Sequence, residues 1–138
     1  MGLPGAGKTT LASQLALDIG AAYFNADAVR QQFADWDFTS AGRIRQAQRM
    51  RMLCDLALDH TAYAIADFVC PTSVTRQIFQ PDFVIWINTL DDSIYADTND
   101  LFEPPARPDY RVDRRQPVIH MVAAIRSLLD KNLPKSAQ

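Results

Sequence analysis

A three-layer α/β/α domain built on a mainly parallel sheet is the architecture that this chain of 138 residues predicts, for three reasons. Short apolar runs of strand length alternate with longer segments of helical periodicity. The strand runs are continuously apolar, as in parallel strands that are buried on both faces. With 48% hydrophobic and 22% charged residues, the chain has the composition of a globule with a substantial core, and its length predicts a single domain over residues 1–138.

The first half of the chain contains a helix, a strand and two further helices. Residues 10–19 place apolar side chains at helical spacing, and the short apolar run at 21–25 predicts a strand. Asp27 lies at the start of a helical stretch that extends to residue 35. Residues 40–60 form the longest helical pattern, since apolar residues recur at spacings of three and four. The predicted buried stripe of this helix comprises Ile44, Ala47, Met50, Leu53, Cys54 and Ala57.

The second half contains two strands, two helices and a long loop. Two apolar runs have strand length, and Asp67 interrupts the first of them. Pro117 suits the first turn of the last helix. The segment between the second run and that helix has no clear periodicity and contains three prolines, which is typical of a functional loop. The predictions are strands at 61–69 and 82–88, helices at 72–79 and 117–131, and a loop at 89–109.

A phosphate-binding motif occupies the start of the chain. Residues 2–9 read Gly-Leu-Pro-Gly-Ala-Gly-Lys-Thr and fit the pattern G-x-x-x-x-G-K-[ST], which places the domain among the P-loop NTPases. The glycines let backbone N–H groups turn toward phosphates, Lys8 adds a positive charge, and the Thr9 hydroxyl can ligate Mg²⁺. The predicted cofactors are therefore ATP and Mg²⁺. The predicted nucleotide-binding residues are Gly2, Leu3, Pro4, Gly5, Ala6, Gly7, Lys8, Thr9 and Thr10.

A buried parallel strand normally leads into such a loop, yet only Met1 precedes Gly2. Without that central strand, buried N–H and C=O groups on both neighbouring strands would each cost about 1–3 kcal/mol. We therefore expect the natural chain to carry several more residues upstream, rich in Val and Ile.

The composition argues against nucleic acid and membranes as partners and indicates a compartment. The net charge of −2 and the pI near 5.5 offer no general attraction to nucleic acid or to an anionic membrane. No signal peptide and no apolar run of membrane-spanning length is present. Cys54 and Cys70 fit neither a disulfide framework nor a metal-binding spacing, so the expected compartment is the reducing cytoplasm.

Polar residues follow the predicted strands, at the sheet edge where ligands of α/β domains bind. The phosphate loop, residues 25–27, residues 67–71 and the residues after Asn88 would gather there. Asp67 ends an apolar strand, as does the second metal-site carboxylate of P-loop enzymes, which predicts Thr9 and Asp67 as magnesium ligands. The alternative is that Asp67 caps the following turn.

Four further blocks of the sequence resemble the adenylylsulfate kinases. Residues 25–30 are similar to the Asp-Gly-Asp-Asn-x-Arg or Asp-Gly-Asp-Asn-x-x-Arg pattern of that family, with Asp27 and Arg30 aligned and Asn25 in place of its first Asp. Residues 37–46 resemble the Gly-Phe-Ser and Asp-Arg-x-x-Asn stretch. Residues 68–76 and 102–105 resemble its Phe-Ile-Ser-Pro and Tyr-Glu-Pro-Pro segments.

The resemblance implies roles for individual residues. Asp27 would orient or deprotonate the acceptor hydroxyl, so Lys8 and Asp27 are the expected catalytic residues. Paired N–H donors suit an arginine to an anionic acceptor, and a phenylalanine can stack on a base. The expected acceptor-binding residues are Arg30, Phe38, Arg43 and Gln46. Arg45 and Arg51 are expected to be a solvated flank of the long helix.

One departure from the family is a missing basic lid. Residues 90–101 are shorter than the family's lid and acidic, so lid arginines are absent from this stretch. Because lid closure excludes water and supplies charge, the missing lid counts against adenylylsulfate as the acceptor and against a full catalytic rate. A replacement could come from a partner subunit, in a homodimer, or from arginines later in this chain. Those arginines are Arg107, Arg111, Arg114 and Arg115.

The sequence thus predicts a cytoplasmic, ATP-dependent kinase that phosphorylates a hydroxyl group of a small nucleotide-like acceptor, with adenylylsulfate the leading candidate. One alternative is a kinase for a sugar, an antibiotic hydroxyl or a nucleic-acid 5′ end. Another is a nucleotide-binding module that lost turnover along with the lid. Asp27 and Arg30 beside an intact phosphate loop favour catalysis.

Overall fold

A computed structural model describes residues 1–132 and has helices on both sides of short parallel strands. The order of elements confirms the predicted α/β architecture, and the bounds agree with the sequence analysis to within a few residues for most of them. In chain order the elements are α1 (Lys8–Ile19), β1 (Ala22–Asn25), α2 (Ala26–Phe33), α3 (Ser40–Leu58), β2 (Ala64–Asp67), α4 (Ser73–Phe79), β3 (Ile85–Ile87), α5 (Ala96–Leu101), β4 (Tyr110–Val112) and α6 (Val118–Asn132).

The strands form two separate parallel pairs. β1 pairs with β2, which places Asn25 beside Asp67 at the carboxyl ends of both strands. β3 pairs with β4 in the same parallel sense. Within residues 1–132, no backbone hydrogen bond joins β2 to β3. The sheet is therefore two half-sheets, β1-β2 and β3-β4.

Apolar side chains pack into two clusters. One joins α1 and α6 to the β3-β4 half-sheet, with Leu15, Val112 and Ile125 almost fully buried. The other joins α3 to the β1-β2 half-sheet and α4, and there Ala47 and Met50 have no exposed surface. Of the stripe predicted for the long helix, Ala47, Met50 and Cys54 are buried, whereas Ile44, Leu53 and Ala57 are half-buried.

The sequence analysis missed two short elements. The predicted loop at 89–109 contains the six-residue helix α5, and strand β4 begins just beyond that loop, at Tyr110. Both depend on distant partners, since β4 pairs with β3 and Thr98 of α5 is buried against α3. Local periodicity carries little information about elements of this length.

Residues 133–138 of the predicted single domain lie outside the described residues. None of the described helices has the length and apolarity needed to cross a membrane.

Met1 is fixed to the β3-β4 half-sheet by two hydrogen bonds. Its amino group donates to the Ile85 carbonyl oxygen at 2.7 Å, and its carbonyl oxygen accepts from the Ile87 N–H at 2.9 Å. Burial of the amino group, reinforced by the nearby charge of Lys8, lowers its pKa from 8.0 to about 6. The folded protein therefore disfavours the protonated amine.

We predict that the free energy of unfolding rises as the pH increases from 6 to 8. Because the pKa of this amine is lower in the folded chain, the unfolded chain binds more protons in that window. Below pH 6 the cost of the buried charge is fully present, and above pH 8 it is gone. The expected gain is about 2–3 kcal/mol, measured by urea unfolding. Protein acetylated at Met1 is the control, and an equal rise in that form would contradict the assignment.

Candidate functional site

The phosphate loop turns at glycines before it enters α1. Gly5 and Gly7 have φ angles of 83° and 104°, a region that strains any residue with a side chain. Gly2 has a φ of 151°, and a Cβ there would collide with the Ile87 carbonyl oxygen. Gly7 is the N-cap of α1, and no side chain caps that helix end. The first N–H groups of α1 are therefore available to an anion.

Lys8 lies over the loop, as the motif predicts. Its Nζ donates a hydrogen bond to the Leu3 carbonyl oxygen at 2.9 Å. Burial lowers the pKa of Lys8, while the negative charges of Asp67 and Asp27 oppose that shift. The structure thus brings the two expected catalytic residues, Lys8 and Asp27, into one electrostatic environment.

Asp67 is the junction between the phosphate loop and the β1-β2 half-sheet. It is 4% exposed, and its Oδ2 accepts three hydrogen bonds. Thr9 Oγ1 and Tyr23 Oη donate from 2.8 Å each, and Asn25 Nδ2 donates from 3.1 Å. The alternative in which Asp67 caps the following turn is not seen, since none of these donors belongs to that turn.

The Thr9 and Asp67 pair fits a magnesium ion. In the described chain, no three His, Cys, Asp or Glu side chains gather into a ready-made metal site. Mg²⁺ in nucleotide sites is commonly held by one or two protein oxygens together with phosphates and waters. A hydroxyl and a carboxylate oxygen 2.8 Å apart, beside the phosphate loop, supply those protein oxygens.

Asn25 and Asp27 mark the junction between β1 and α2. Asn25 Oδ1 accepts from the Ala28 N–H at 3.1 Å and caps α2, while its Nδ2 reaches both Thr9 and Asp67. Asp27, in the first turn of α2, is exposed and forms no hydrogen bond or ion pair with residues 1–132. Its carboxylate is therefore free to accept a proton or a hydrogen bond from a bound molecule.

Sequence reasoning missed Tyr23 as a site residue, and it placed Asn25 at this sheet edge without giving it a role. They are two residues apart on β1, so their side chains share one face of the strand. Burial, followed by the hydrogen bond to Asp67, raises the pKa of Tyr23 to about 12, so its hydroxyl stays protonated and donating. The signal that could have found them is the register that a parallel pair imposes, with Asn25 opposite Asp67.

A second cluster forms around Phe38. The Arg30 guanidinium lies 4.3 Å from the centre of the Phe38 ring, and that of Arg43 lies at 5.5 Å. Phe38 itself is 48% exposed, whereas both arginines are buried. The ring therefore keeps an open surface for stacking. The structure thus brings these three predicted acceptor-binding residues together.

The buried arginines hold the loop that carries Phe38. Arg30 Nη1 donates to the carbonyl oxygens of Asp35 and Asp37 at 3.0 and 3.1 Å. Arg43 Nε donates to the Phe38 carbonyl oxygen at 2.9 Å. Gly42 is required here, because a Cβ on it would collide with the Asp37 backbone. The conformation of this loop is thus fixed before any acceptor binds.

Gln46 lies on the same buried face of α3 as Arg43, as their spacing predicts. Its amide donates to the Ala26 carbonyl oxygen at 3.1 Å and accepts from Arg49 at 2.9 Å. These bonds tie α3 to the start of α2. Gln46 therefore helps to fix the position of the acceptor cluster, which consists of Arg30, Phe38 and Arg43.

Carboxylates balance several of the arginines. Arg45 pairs with Asp35 and Asp37, and Arg49 pairs with Asp35. The hydrogen bonds from Arg45 and Arg49 hold the pKa of Asp35 far below its usual value. Arg45 is partly exposed, in agreement with the solvated helix flank that was expected of it.

Helix α5 lies within residues 90–101, the stretch that is expected to lack the family's basic lid. Thr98 accepts a hydrogen bond from Arg43 at 3.0 Å, and Asp97 lies 3.5 Å from the same guanidinium. Farther along, Glu103 accepts from the Ser73 N–H at 2.9 Å, and its own N–H donates to Pro71. The segment is therefore fastened to α3 and α4.

Of the arginines considered as lid replacements, Arg111 is already engaged. Its guanidinium lies 4.6 Å from the Trp86 ring centre and pairs with Asp113 at 2.6 Å. Arg107, Arg114 and Arg115 are exposed and form no ion pair within the described part of the chain. They remain available as sources of positive charge.

Comparison with known proteins agrees with the phosphate-binding geometry of the site. The family model described as "Adenylylsulphate kinase" matches residues 1–89, which is more than half of the chain. No curated protein sequence matches it.

Solved structures share the fold at low sequence identity. The APS kinase CysC of Mycobacterium tuberculosis, solved in complex with AMPPNP and APS, has a TM-score of 0.77 and 16% identity, and the match covers 94% of each chain. A sugar kinase from Janibacter sp. HTCC2649 has a TM-score of 0.69 and 19% identity over 94% of this chain and 91% of that one. Shikimate kinase from Acinetobacter baumannii, solved with shikimate, has a TM-score of 0.60 and 18% identity over 96% and 92%. These likenesses confirm the P-loop kinase fold.

We predict that Tyr23→Phe lowers the free energy of unfolding by about 1 kcal/mol, because it removes a hydrogen bond to a buried carboxylate. Urea unfolding measures the loss, and a spectrophotometric titration should lose the tyrosine with a pKa of about 12. Tyr110→Phe is the matched control, since the Tyr110 hydroxyl has no hydrogen-bond partner among residues 1–132. Equal losses in the two variants would refute the role of Tyr23.

Proposed function

Because the chain belongs to the adenylylsulfate kinase family, and is thereby an ATP-dependent kinase, we propose that it transfers the γ-phosphoryl group of ATP to a hydroxyl group of a small nucleotide-like acceptor. The leading candidate for that acceptor is adenylylsulfate. The observation that carries the proposal is the 2.8 Å hydrogen bond between Thr9, at the start of α1, and Asp67, at the end of β2, together with the exposed Asp27, whose charge acts on Lys8. A phosphate-binding loop and an acceptor carboxylate thereby share one sheet edge.

The phosphate loop would bind the triphosphate through backbone N–H groups and Lys8. In this proposal Lys8 exchanges its bond to the Leu3 carbonyl oxygen for one to the outer phosphates. The helix dipole of α1 adds a favourable field at the same point. These groups stabilise charge on the transferring phosphoryl group and form no covalent bond with it.

Thr9 and Asp67 would hold Mg²⁺, which neutralises phosphate charge in enzymes of this class. Tyr23 and Asn25 keep Asp67 oriented toward Thr9 by donating to its Oδ2. Because Tyr23 stays protonated at neutral pH, it donates a hydrogen bond and adds no second negative charge. Residues of β1 thus position the carboxylate without contacting the substrate.

Asp27 would act on the acceptor. Its free carboxylate lies near Lys8 and can orient or deprotonate a hydroxyl that attacks the γ-phosphorus. The open surface of Phe38 would stack on the base of the acceptor, and Arg30 and Arg43 would set its position. The acceptor then lies between this cluster and the phosphate loop.

The charge balance of the acceptor cluster favours a second candidate, a kinase for an uncharged hydroxyl compound such as a sugar. Arg43, Arg45 and Arg49 each have a carboxylate partner within this chain. An anionic acceptor would have to compete with those carboxylates, whereas an uncharged acceptor would not.

We predict that adenylylsulfate stimulates ADP release from ATP and Mg²⁺, and that Asp27→Asn lowers kcat by about 100-fold or more without weakening ATP binding. A coupled assay measures turnover, and calorimetry measures ATP binding. Asp59→Asn, at another exposed aspartate, is the control and should leave kcat unchanged. Turnover with an uncharged hydroxyl compound alone would favour the second candidate. Tight ATP binding with no acceptor-dependent turnover would refute both kinase proposals.

We further predict that Phe38→Ala raises the KM for adenylylsulfate by about tenfold and leaves the KM for ATP unchanged, because stacking on a base contributes about 1 kcal/mol or more. Trp36→Ala is the matched control, since Trp36 lies in the same loop and is 53% exposed, close to the 48% of Phe38. Equal changes in the two variants would show that the loop conformation, and not the ring of Phe38, recognises the acceptor.

A further inference from the structure

Helix α5 covers one edge of the Arg43 guanidinium in the acceptor cluster. Arg43 Nη2 donates to Thr98 Oγ1 at 3.0 Å and lies 3.5 Å from Asp97 Oδ2. Arg43 Nε donates to the Phe38 carbonyl oxygen at 2.9 Å. Within residues 1–132, Arg43 Nη1 forms no hydrogen bond. One nitrogen of the guanidinium therefore remains as a donor for a bound molecule.

The engagement of Nη2 changes what Arg43 can recognise. An arginine binds a phosphate or a carboxylate most strongly through two parallel N–H bonds. The nitrogens that present parallel N–H bonds are Nη1 with Nη2, or Nε with Nη2, so both pairs include Nη2. Because α5 occupies Nη2 and the Phe38 carbonyl oxygen occupies Nε, Arg43 can donate a single hydrogen bond to an acceptor but not a parallel pair.

A set of short hydrogen bonds holds α5 in this position. Asn99 Oδ1 accepts from the N–H and from the hydroxyl group of Ser93 at 2.8 Å each, and Asn99 Nδ2 donates to the Ser93 carbonyl oxygen at 2.8 Å. Thr98 is only 5% exposed, so its bond to Arg43 is shielded from water. Asp97 and Thr98 are thereby held against Arg43 before any acceptor binds.

Asp97 differs in its exposure from the other carboxylates around the acceptor cluster. Its side chain is 70% exposed, against 15% for Asp35 and 35% for Asp37. An anionic group that reaches Arg43 from solvent therefore comes close to the negative charge of Asp97. The two negative charges repel each other over less than a Debye length, so salt at physiological concentration screens the repulsion only in part.

We propose that Asp97 is a specificity-determining residue of the acceptor site, and that it disfavours acceptors with an anionic group next to Arg43. The inference rests on the proposed function, since it takes the cluster of Arg30, Phe38 and Arg43 as the place where the acceptor binds. The favoured class is a hydroxyl compound with a base for Phe38 and an uncharged oxygen atom for Arg43. Adenylylsulfate and other anionic acceptors bind more weakly than they would without Asp97.

The test measures the binding of adenosine and of adenosine 5′-monophosphate, which share a base and differ in charge, by calorimetry without ATP. Asp97→Asn keeps a side-chain oxygen beside Arg43 and removes the charge. It should tighten binding of the monophosphate about fivefold and leave binding of adenosine unchanged. The matched control is Asp100→Asn, since Asp100 is exposed on the same helix and forms no ion pair within residues 1–132.

Two further readouts separate the charge of Asp97 from a merely structural role. The fivefold gain should largely disappear in about 1 M salt, where the Debye length is about 3 Å. Asp97→Glu should restore the preference of the unchanged protein, because it restores the charge. An unchanged ratio of the two affinities in Asp97→Asn, an equal gain in Asp100→Asn, or a gain that salt does not reduce would overturn the proposal.

The KM for adenylylsulfate in the coupled assay separates this inference from the proposed function. If the protein turns over adenylylsulfate with a KM that Asp97→Asn does not lower, the proposed function stands and the inference is overturned. A changed ratio of affinities without turnover in any form would support the inference and refute the kinase. If neither adenine compound binds, a lower KM in Asp97→Asn still supports the inference, and the absence of both binding and turnover overturns both.

Discussion

The phosphate loop depends on hydrogen bonds to two half-sheets that are not bonded to each other. On one side, Thr9 donates to Asp67 at the end of β2. On the other, Thr89, which follows β3, donates to the Ala6 carbonyl oxygen at 2.7 Å. Any change in the separation of the half-sheets would therefore move Thr9 relative to Asp67. Since a nucleotide would have to contact both the loop and Asp67 through the metal, the spacing of the sheet layer controls the chemistry at its edge.

The acceptor cluster is preorganised by the same residues that would bind the acceptor. Arg30 is 4% exposed, and its Nη1 donates to two backbone carbonyl oxygens of the loop that carries Phe38. Burial lowers the pKa of Arg30, and Asp35 opposes that effect. Little conformational freedom is left for binding to remove, which favours affinity. The cost is that part of the hydrogen-bonding capacity of Arg30 and Arg43 is already used within the protein.

Features of the fold and the site could be predicted from the sequence where they depend on residues close together in the chain, and not where they depend on distant ones. The phosphate loop and α3 were predicted because their signals are local: glycines at fixed positions, and apolar residues at spacings of three and four. The contact between Thr9 and Asp67 followed from the rule that strand ends meet at one edge. Tyr23 was missed because an aromatic residue in a strand ordinarily indicates core, and its partner lies 44 residues away. β4 and α5 were missed for the same reason, since each is stabilised by residues far away in the chain.

The segment at residues 90–101, which is expected to stand in place of the family's lid, limits how the proposed reaction can be completed. Thr98 and Glu103 fasten it to α3 and α4, so closing it over the phosphate loop would first break those bonds. Asp97 adds negative charge where a lid would supply positive charge. Charge on the transferring phosphoryl group must then be stabilised by Lys8 and the metal, unless an arginine such as Arg114 joins them. With water less fully excluded, the electrostatic stabilisation is weaker, and slower turnover than in a lidded kinase is the physical expectation.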